Sequence, residues 1–449
     1  MGRPSNRRAR GAIAVLAAVL LAAPAAAQLP PVGTLPGLPG GLPPAPDLPV
    51  DGALDAADGL RPDLRGVADL RRLRLRELIR RHRDVIDVDD AGQPVVRGEI
   101  LAVSPTAASL AAAQAAGFAV RERTRIEGAA VELVTLEIPR GLDARRAMKR
   151  LRRADPAGVY DYNHIYSAAG EAAGPPAPPA AACQSPPPYF ASGAGGGRRI
   201  GLVDTGVDAR HPALAGAGIQ QRGFAPGGVR PRAHGTAAAS LIVGRAGPFR
   251  GAAPGAGLLV ADVYGGGPTG GSAGAIVQAL GWLSASGVGV INVSLVGPRN
   301  GALQAVVRDL AARGVLIVAA VGNDGPAAPP LYPASYPEVV AVTGVDGRDR
   351  VLIEAGRALH LDFAAPGADM AAAGPGDGFV TVRGTSFASP IVAGRLAGLG
   401  RGRAAVEALT RQARDLGPPG PDRIYGHGLV GGDLRTPPRA VGASSAVLR

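Results

Sequence analysis

Four polar side chains between residues 193 and 434 of this 449-residue chain are of the types that activate a hydroxyl. Asp204 stands in Asp204-Thr205-Gly206, directly after the apolar run Ile200–Val203. His234 opens His234-Gly235-Thr236-Ala237-Ala238-Ala239-Ser240, a turn that feeds an alanine-rich helix. Asn323 lies in Val321-Gly322-Asn323-Asp324-Gly325, again after an apolar run. Ser386 lies in Gly384-Thr385-Ser386-Phe387-Ala388-Ser389-Pro390, at the mouth of another helix. A serine hydroxyl is a weak nucleophile. It needs an adjacent base, the base needs a carboxylate to fix its tautomer, and the tetrahedral oxyanion needs donors. Ser386, His234 and Asp204 can fill the first three roles. The backbone N–H of Ser386 and the side-chain amide of Asn323 can fill the last. Taken singly, the four have plainer readings as a turn acid, two helix caps and the shaper of a glycine turn. Their joint occurrence, in the order Asp…His…Ser, is what points to nucleophilic catalysis.

The elements that must position them follow from the texture of the chain. Ile200–Val203, Leu258–Val263, Val288–Val293, Val315–Ala320 and Val339–Thr343 are continuous apolar runs, as strands buried on both faces require. Alanine-rich helical stretches separate them, so residues 193–434 read as an α/β domain with a mainly parallel sheet flanked by helices. Asp204 and Asn323 then fall at the C-terminal ends of strands, where open α/β sheets place their sites. Upstream, residues 93–167 order as β-α-β-β-α-β, the ferredoxin-like α+β signature. Its pieces are a strand at Val95–Val103, a helix at Thr106–Ala116, strands at Phe118–Ile126 and Ala129–Ile138, a basic helix at Leu142–Arg153 and a strand at Val159–Tyr166.

The rest of the chain is organised by composition. Residues 1–27 carry Arg3, Arg7, Arg8 and Arg10, then the apolar Gly11–Ala23 and a small-residue cleavage site at Ala25–Ala27. That is an export signal, too short for a confident membrane span. Residues 28–60 and 168–192 are Pro-, Gly- and Ala-rich linkers, 61–92 is an arginine-rich helical segment, and 435–449 reads as a flexible tail. The helical segment spreads its apolar residues round the wheel, which favours a solvated or loosely docked helix over a membrane-surface one. The net charge of +12 sits mainly in the signal, in 61–84 and in 141–156, whereas 193–434 holds 21 arginines against 16 acids. With no stacked-aromatic pattern on the first and third strands of 93–167 either, no nucleic-acid partner is expected. Cys183, the one cysteine, excludes a disulfide framework and cysteine metal sites. Asp208, Asp262 and Asp324 read as structural acids. Neither a metal nor a cofactor is expected.

Further motifs widen the pattern. Asp204-Thr205-Gly206 with His211-Pro212, His234-Gly235-Thr236, and Gly384-Thr385-Ser386 with Ala388 and Pro390 are joined by others. These are Gly251-Ala252-Ala253-Pro254, Tyr332-Pro333-Ala334, Ala365-Pro366-Gly367 and Tyr425-Gly426-His427-Gly428. Together, over nearly all of 198–434, they resemble the subtilisin family of serine peptidases. The resemblance implies an exported serine endopeptidase acting on protein or peptide substrates through Asp204, His234 and Ser386, with Asn323 at the oxyanion. It also implies that 93–167 is an inhibitory prodomain removed by self-processing, with a first cut at or shortly after Tyr166. Substrate would lie extended along Ser294, Leu295 and Val296 and along Ala320 and Gly322, by main-chain pairing. The chain departs from the family's habit at Val296 (often Gly), Phe387 (often Met) and Ala237-Ala238. Valine at 296 should narrow the pocket beside the cleaved bond. The rival reading is a catalytically silent peptide-binding scaffold of the same fold.

Overall fold

The computed structural model describes residues 62–168 and 198–449, with side chains from residue 71 onward. The export signal, the 28–60 linker and all but the first residue of the 168–192 linker, Cys183 included, lie outside the described residues.

The N-terminal module begins with helix α1 (Pro62–Arg81), followed by β1 (Ile86–Val88), β2 (Pro94–Val103) and α2 (Ala107–Ala115). Then come β3 (Ala119–Arg125), β4 (Glu132–Glu137), α3 (Ala144–Ala154), β5 (Tyr160–His164) and the two-residue β6 (Ser167–Ala168). Local chemistry sets the boundaries, because a side-chain oxygen before a helix satisfies its first free N–H groups. The Thr106 hydroxyl accepts the Ser109 N–H at 3.0 Å to start α2, and Asp143 accepts the Arg146 N–H at 2.8 Å to start α3. The antiparallel order β5-β2-β4-β3 is the ferredoxin-like arrangement that the sequence implies. Strand β1 is an addition within the expected helical segment 61–92. Asp89 accepts the N–H groups of Ala91 and Gln93, and Gly92 takes φ +73°. Such an aspartate–glycine turn reverses the chain, and β1 folds back as a hairpin on β2. Lys149 projects from α3, two-thirds exposed, with Asp90 3.9 Å away.

The C-terminal module runs through β7 (Arg199–Asp204), β8 (Ile219–Gly223), α4 (Ala233–Val243) and the short hairpin arms β9 (Arg245–Ala246) and β10 (Phe249–Arg250). It continues with β11 (Gly257–Asp262), α5 (Ala273–Ala285), β12 (Val290–Val293), β13 (Leu295–Val296) and α6 (Gly301–Ala312). It closes with β14 (Leu316–Ala320), β15 (Val339–Val345), β16 (Phe363–Pro366), β17 (Ala368–Ala373), β18 (Phe379–Arg383), α7 (Thr385–Ala397), α8 (Gly402–Thr410) and β19 (Ser444–Leu448). The main sheet is parallel throughout, in the order β16-β15-β14-β12-β7-β11-β8. One face is covered by α5 and α6 and the other by α4 and α7, so the central strands are mostly apolar on both faces. The edge strands escape a reading by pattern, β8 because Ile-Gln-Gln-Arg-Gly is polar and β16 because Phe-Ala-Ala-Pro is short and ends in a proline. Residues 435–449, expected as a flexible tail, instead return to the body. Thr436 O accepts the Ala371 N–H at 2.9 Å, and β19 pairs in parallel with β18.

The two modules belong to one compact unit and share a core. Leu101, Ile126, Val131 and Leu133 of the first pack into the same cluster as Ile276, Leu280, Leu303 and Val307 of α5 and α6. Gly281 makes this contact possible, because a Cβ there would stand 2.3 Å from Ile126 Cγ2. Polar groups pin the register. Asn163 Oδ1 accepts the Gly274 N–H at 3.0 Å, and Asp161 accepts the Gly301 N–H at the start of α6. Asn300, which caps α6, donates to the Tyr162 carbonyl at 2.9 Å.

Candidate active site

The sheet delivers Asp204 at the last position of β7, in register with Asp262 of β11. Asp204 is 1% exposed. A buried carboxylate must be hydrogen-bonded, and this one accepts the Thr205 N–H at 2.6 Å and His234 Nδ1 at 2.9 Å to each oxygen. A carboxylate only accepts, so Nδ1 carries the proton and the neutral ring keeps Nε2 as its basic nitrogen. His234 is the second residue of α4, and Gly235 lets that helix close on β7. A Cβ at 235 would stand 2.6 Å from Thr205 O and Oγ1, whereas its N–H donates to that Oγ1 at 3.1 Å. The Phe387 ring lies 5.2 Å from the imidazole, so the departure from the family's methionine is a packing contact beside the base.

Ser386 is the second residue of α7, where N–H groups have no intrahelical acceptor. Gly384, just before, has φ 148° and ψ 157°. That conformation is open essentially to glycine alone. Pro390 sits inside the helix and has no N–H to give the carbonyl four residues back. That carbonyl is Ser386 O, and Ser294 Oγ donates to it instead at 3.2 Å, while itself accepting Asn292 Nδ2 at 2.7 Å. A proline and a serine far apart in sequence thus lock the Ser386 turn to the end of β12. Asn323 is oriented by a similar exchange. Its Oδ1 accepts the Thr385 N–H at 2.9 Å, which turns its Nδ2 donors away from α7's first amide. The arrangement assembles a base of fixed tautomer, a serine on a helix start and an oriented amide, the parts that acyl transfer needs.

The cleft beside these residues is occupied by the end of the N-terminal module. β6 pairs antiparallel with β13, Ser167 opposite Val296 and Ala168 opposite Leu295. On its other side Ile165 bridges Ser272, and the Tyr166 N–H donates to Gly271 O at 2.9 Å. Tyr166 is 1% exposed, with its hydroxyl on Pro298 O at 2.7 Å and its ring over Gly297, where a Cβ would lie 2.5 Å from it. The edge at Leu295–Val296 is the one expected, and Ser294 lies just beyond it. The second expected edge, at Ala320 and Gly322, is not paired with this strand. The Gly322 N–H is engaged with Thr385 Oγ1 and its carbonyl with the Gly356 N–H, and Ala320 is inside the sheet. Gly271 and Ser272 take the pairing role, and the sequence reading missed them. Their available signal was Gly270-Gly271-Ser272 before an alanine-rich helix, with Gly271 at φ +78° and Ser272 as its N-cap.

The three acids Asp208, Asp262 and Asp324 each have partners. Asp262 accepts the N–H groups of Arg230, Tyr264 and Gly265 at 2.6–3.0 Å. Burial nonetheless pushes its carboxyl above the usual range, because desolvation disfavours the charged form. Asp208 pairs with Arg210. Asp324, next to Asn323, is paired with Arg71 of α1 at 2.6 Å, a contact that nothing in the sequence foretells. Among the described residues no group of three or more His, Cys, Asp or Glu could hold a metal ion.

Comparison with known proteins agrees with this geometry. The model of the subtilase family matches residues 195–428. Subtilisin Savinase of Lederbergia lenta is 32% identical over 247 residues, 53% of this chain and 90% of the relative. Subtilisin E of Bacillus subtilis (strain 168) is 32% identical over 210 residues, 44% of this chain and 54% of that one. Fervidolysin from Fervidobacterium pennivorans, a keratinolytic enzyme related to subtilisin, matches in structure with a TM-score of 0.61 at 20% identity. That match covers 78% of this chain and 62% of the other, and it is a likeness of fold.

The Ser294 bridge yields a test. Ser294→Ala should leave the Ser386 carbonyl and an Asn292 N–H buried without partners, a loss of about 1–3 kcal/mol for such a group. Urea unfolding, with Ser386→Ala in both chains to prevent self-digestion, measures it.

Proposed function

Given that the chain belongs to the subtilase family and is a serine endopeptidase, we propose that it is exported as a precursor and cuts its own N-terminal module away. The observation that carries this reading is the strand Ile165–Ala168 lying between two cleft edges, beside the buried Asp204–His234 pair and Ser386. Ser386 Oγ attacks the carbonyl carbon of the bound peptide while its proton passes to His234 Nε2. Asp204 steadies the imidazolium, and the Ser386 N–H and Asn323 Nδ2 receive the oxyanion. Collapse expels the amine, which takes the proton from His234. Water then repeats the sequence on the acyl-enzyme and releases the acid.

The same strand makes the module an inhibitor. A product-like strand held by a folded domain loses less ordering entropy on binding than a free peptide. The interface polar contacts of Asn163, Asp161 and Asn300 and the Arg71–Asp324 pair add to its hold. Export rests on the charged, then apolar, then small-residue order of residues 1–27. Among the described residues no helix is long and apolar enough to cross a membrane. The rival silent scaffold would be expected to have lost at least one member of the Asp204, His234, Ser386 and Asn323 set. All four are present.

Ser386→Ala should accumulate as the unprocessed precursor with unchanged fold, seen by N-terminal sequencing and circular dichroism. Normal maturation of the purified variant would refute self-processing. Asn323→Ala should lower kcat by the order of 10²–10³ with little change in KM, the size known for one such donor in a subtilisin and so borrowed from this family. A rise in KM alone would assign Asn323 to shaping the cleft. The 62–168 module, added to mature enzyme, should inhibit at micromolar concentration or below in competition with substrate. Arg71→Ala should weaken that inhibition roughly two- to fivefold at low salt, the scale of an ion pair near the surface. Undiminished hydrolysis would leave the module a spacer.

A further inference from the structure

The space beside the oxyanion corner is filled by the protein itself. Val296, Ala320 and Leu331 form a small cluster of their own, 2%, 0% and 5% exposed. Leu331 is fixed there by its neighbour. The Tyr332 N–H and carbonyl bond the Gly297 carbonyl and N–H, both at 2.9 Å, so the segment carrying Leu331 is paired to the strand carrying Val296. Both side chains lean over Gly322, the residue before Asn323. A Cβ on that glycine would stand 2.9 Å from Leu331 Cδ1 and 3.5 Å from Val296 Cγ1.

The register says which substrate residue meets this cluster. Ser167 lies opposite Val296 and Ala168 opposite Leu295. A substrate strand continued by one residue in that antiparallel register comes opposite Ser294, whose Oγ holds the Ser386 carbonyl. It is therefore the residue whose carbonyl is attacked. A side chain there that turns toward Gly322 meets Leu331 and Val296 already in contact.

We propose that Leu331, backed by Val296, is a specificity-determining residue that restricts the acyl side of the cleaved bond to glycine or alanine. The proposal rests on the endopeptidase reading above. A side chain larger than a methyl must displace a leucine that is packed and held by a two-bond bridge, and close-packed interiors resist such insertion. The chain's own sequence suits the restriction, since Ala168 is followed by Ala169 and Gly170.

The test uses mature enzyme and quenched peptides containing Tyr-Ser-Ala-Xaa-Gly, with Gly, Ala, Leu or Phe at Xaa. Cleavage after Ala should exceed cleavage after Phe by about 100-fold or more in kcat/KM, given that one misfit methylene is worth about 10–200-fold. Leu331→Gly should shrink that ratio below about tenfold by raising the Phe value, and Val296→Gly should shrink it less. Each ratio is internal to one preparation, so partial folding of a variant does not disturb it. Equal cleavage after Ala and Phe by the parent, or a ratio unchanged in both variants, overturns the proposal. Labelling by a serine-directed fluorophosphonate separates the two levels. A labelled enzyme without the preference refutes the role of Leu331 alone. A chain that neither labels nor cleaves any peptide refutes the endopeptidase reading and this proposal with it.

Discussion

A carboxylate almost without solvent contact is the constraint from which the rest of the C-terminal module is arranged. Asp204 is tolerable at the end of β7 only because Thr205 and His234 donate to it, since a buried charge without partners is strongly destabilising. Bringing His234 there requires that α4 begin within reach of β7, which in turn requires glycine at 235 and the Thr205 hydroxyl beneath it. The parallel sheet supplies the rigidity. With β12 and β14 in register beside β7, the segments bearing Ser294 and Asn323 emerge at the same edge. A loosely fixed histidine could exchange tautomers. One clamped by two carboxylate oxygens cannot.

The Ser386 turn is secured by a defect. A proline in the first half of α7 weakens that helix by removing a hydrogen bond, and an uncompensated carbonyl in a buried site would cost more. Ser294 offsets the loss and ties α7 to the segment that leads into β13, the strand paired with β6. The Asn323 amide is tied to the same helix start through Thr385. Three elements distant in sequence therefore share one junction, and a shift in any of them moves Ser386 relative to Asn323. The N-terminal module adds a fourth, since its last strand continues the pairing along β13.

Much of this was legible in residue types. Continuous apolar runs identify the central strands because burial on both faces removes alternation, and Asp204, His234, Asn323 and Ser386 stand out through glycines that only special backbone requires. The β-α-β-β-α-β order of 93–167 follows from its apolar, Val- and Leu-rich strand runs and from the alanine-rich and basic helical stretches that Gly117 and Pro156 end. What pattern could not supply is pairing between distant segments. Gly271 and Ser272 look like an ordinary helix start, β8 is a polar edge strand, β16 is only four residues ending in a proline, and β19 is too polar to announce itself. Arg71 is one of many arginines on α1, and no spacing singles it out as the partner of Asp324. Leu331 reads as a plain core residue until its place over Gly322 is seen.

The arginine bias leaves an uncommon chemical handle. Lys149 is the one lysine of the chain, and it stands on the exposed side of α3 in the N-terminal module. Reagents that acylate amines, from activated-ester dyes to biotin, therefore find a single side chain to modify apart from the chain's terminal amine. The label lands on the module that caps the cleft, away from Asp204, His234 and Ser386. A fluorophore so placed would travel with that module wherever it goes, and the remainder of the protein would stay dark.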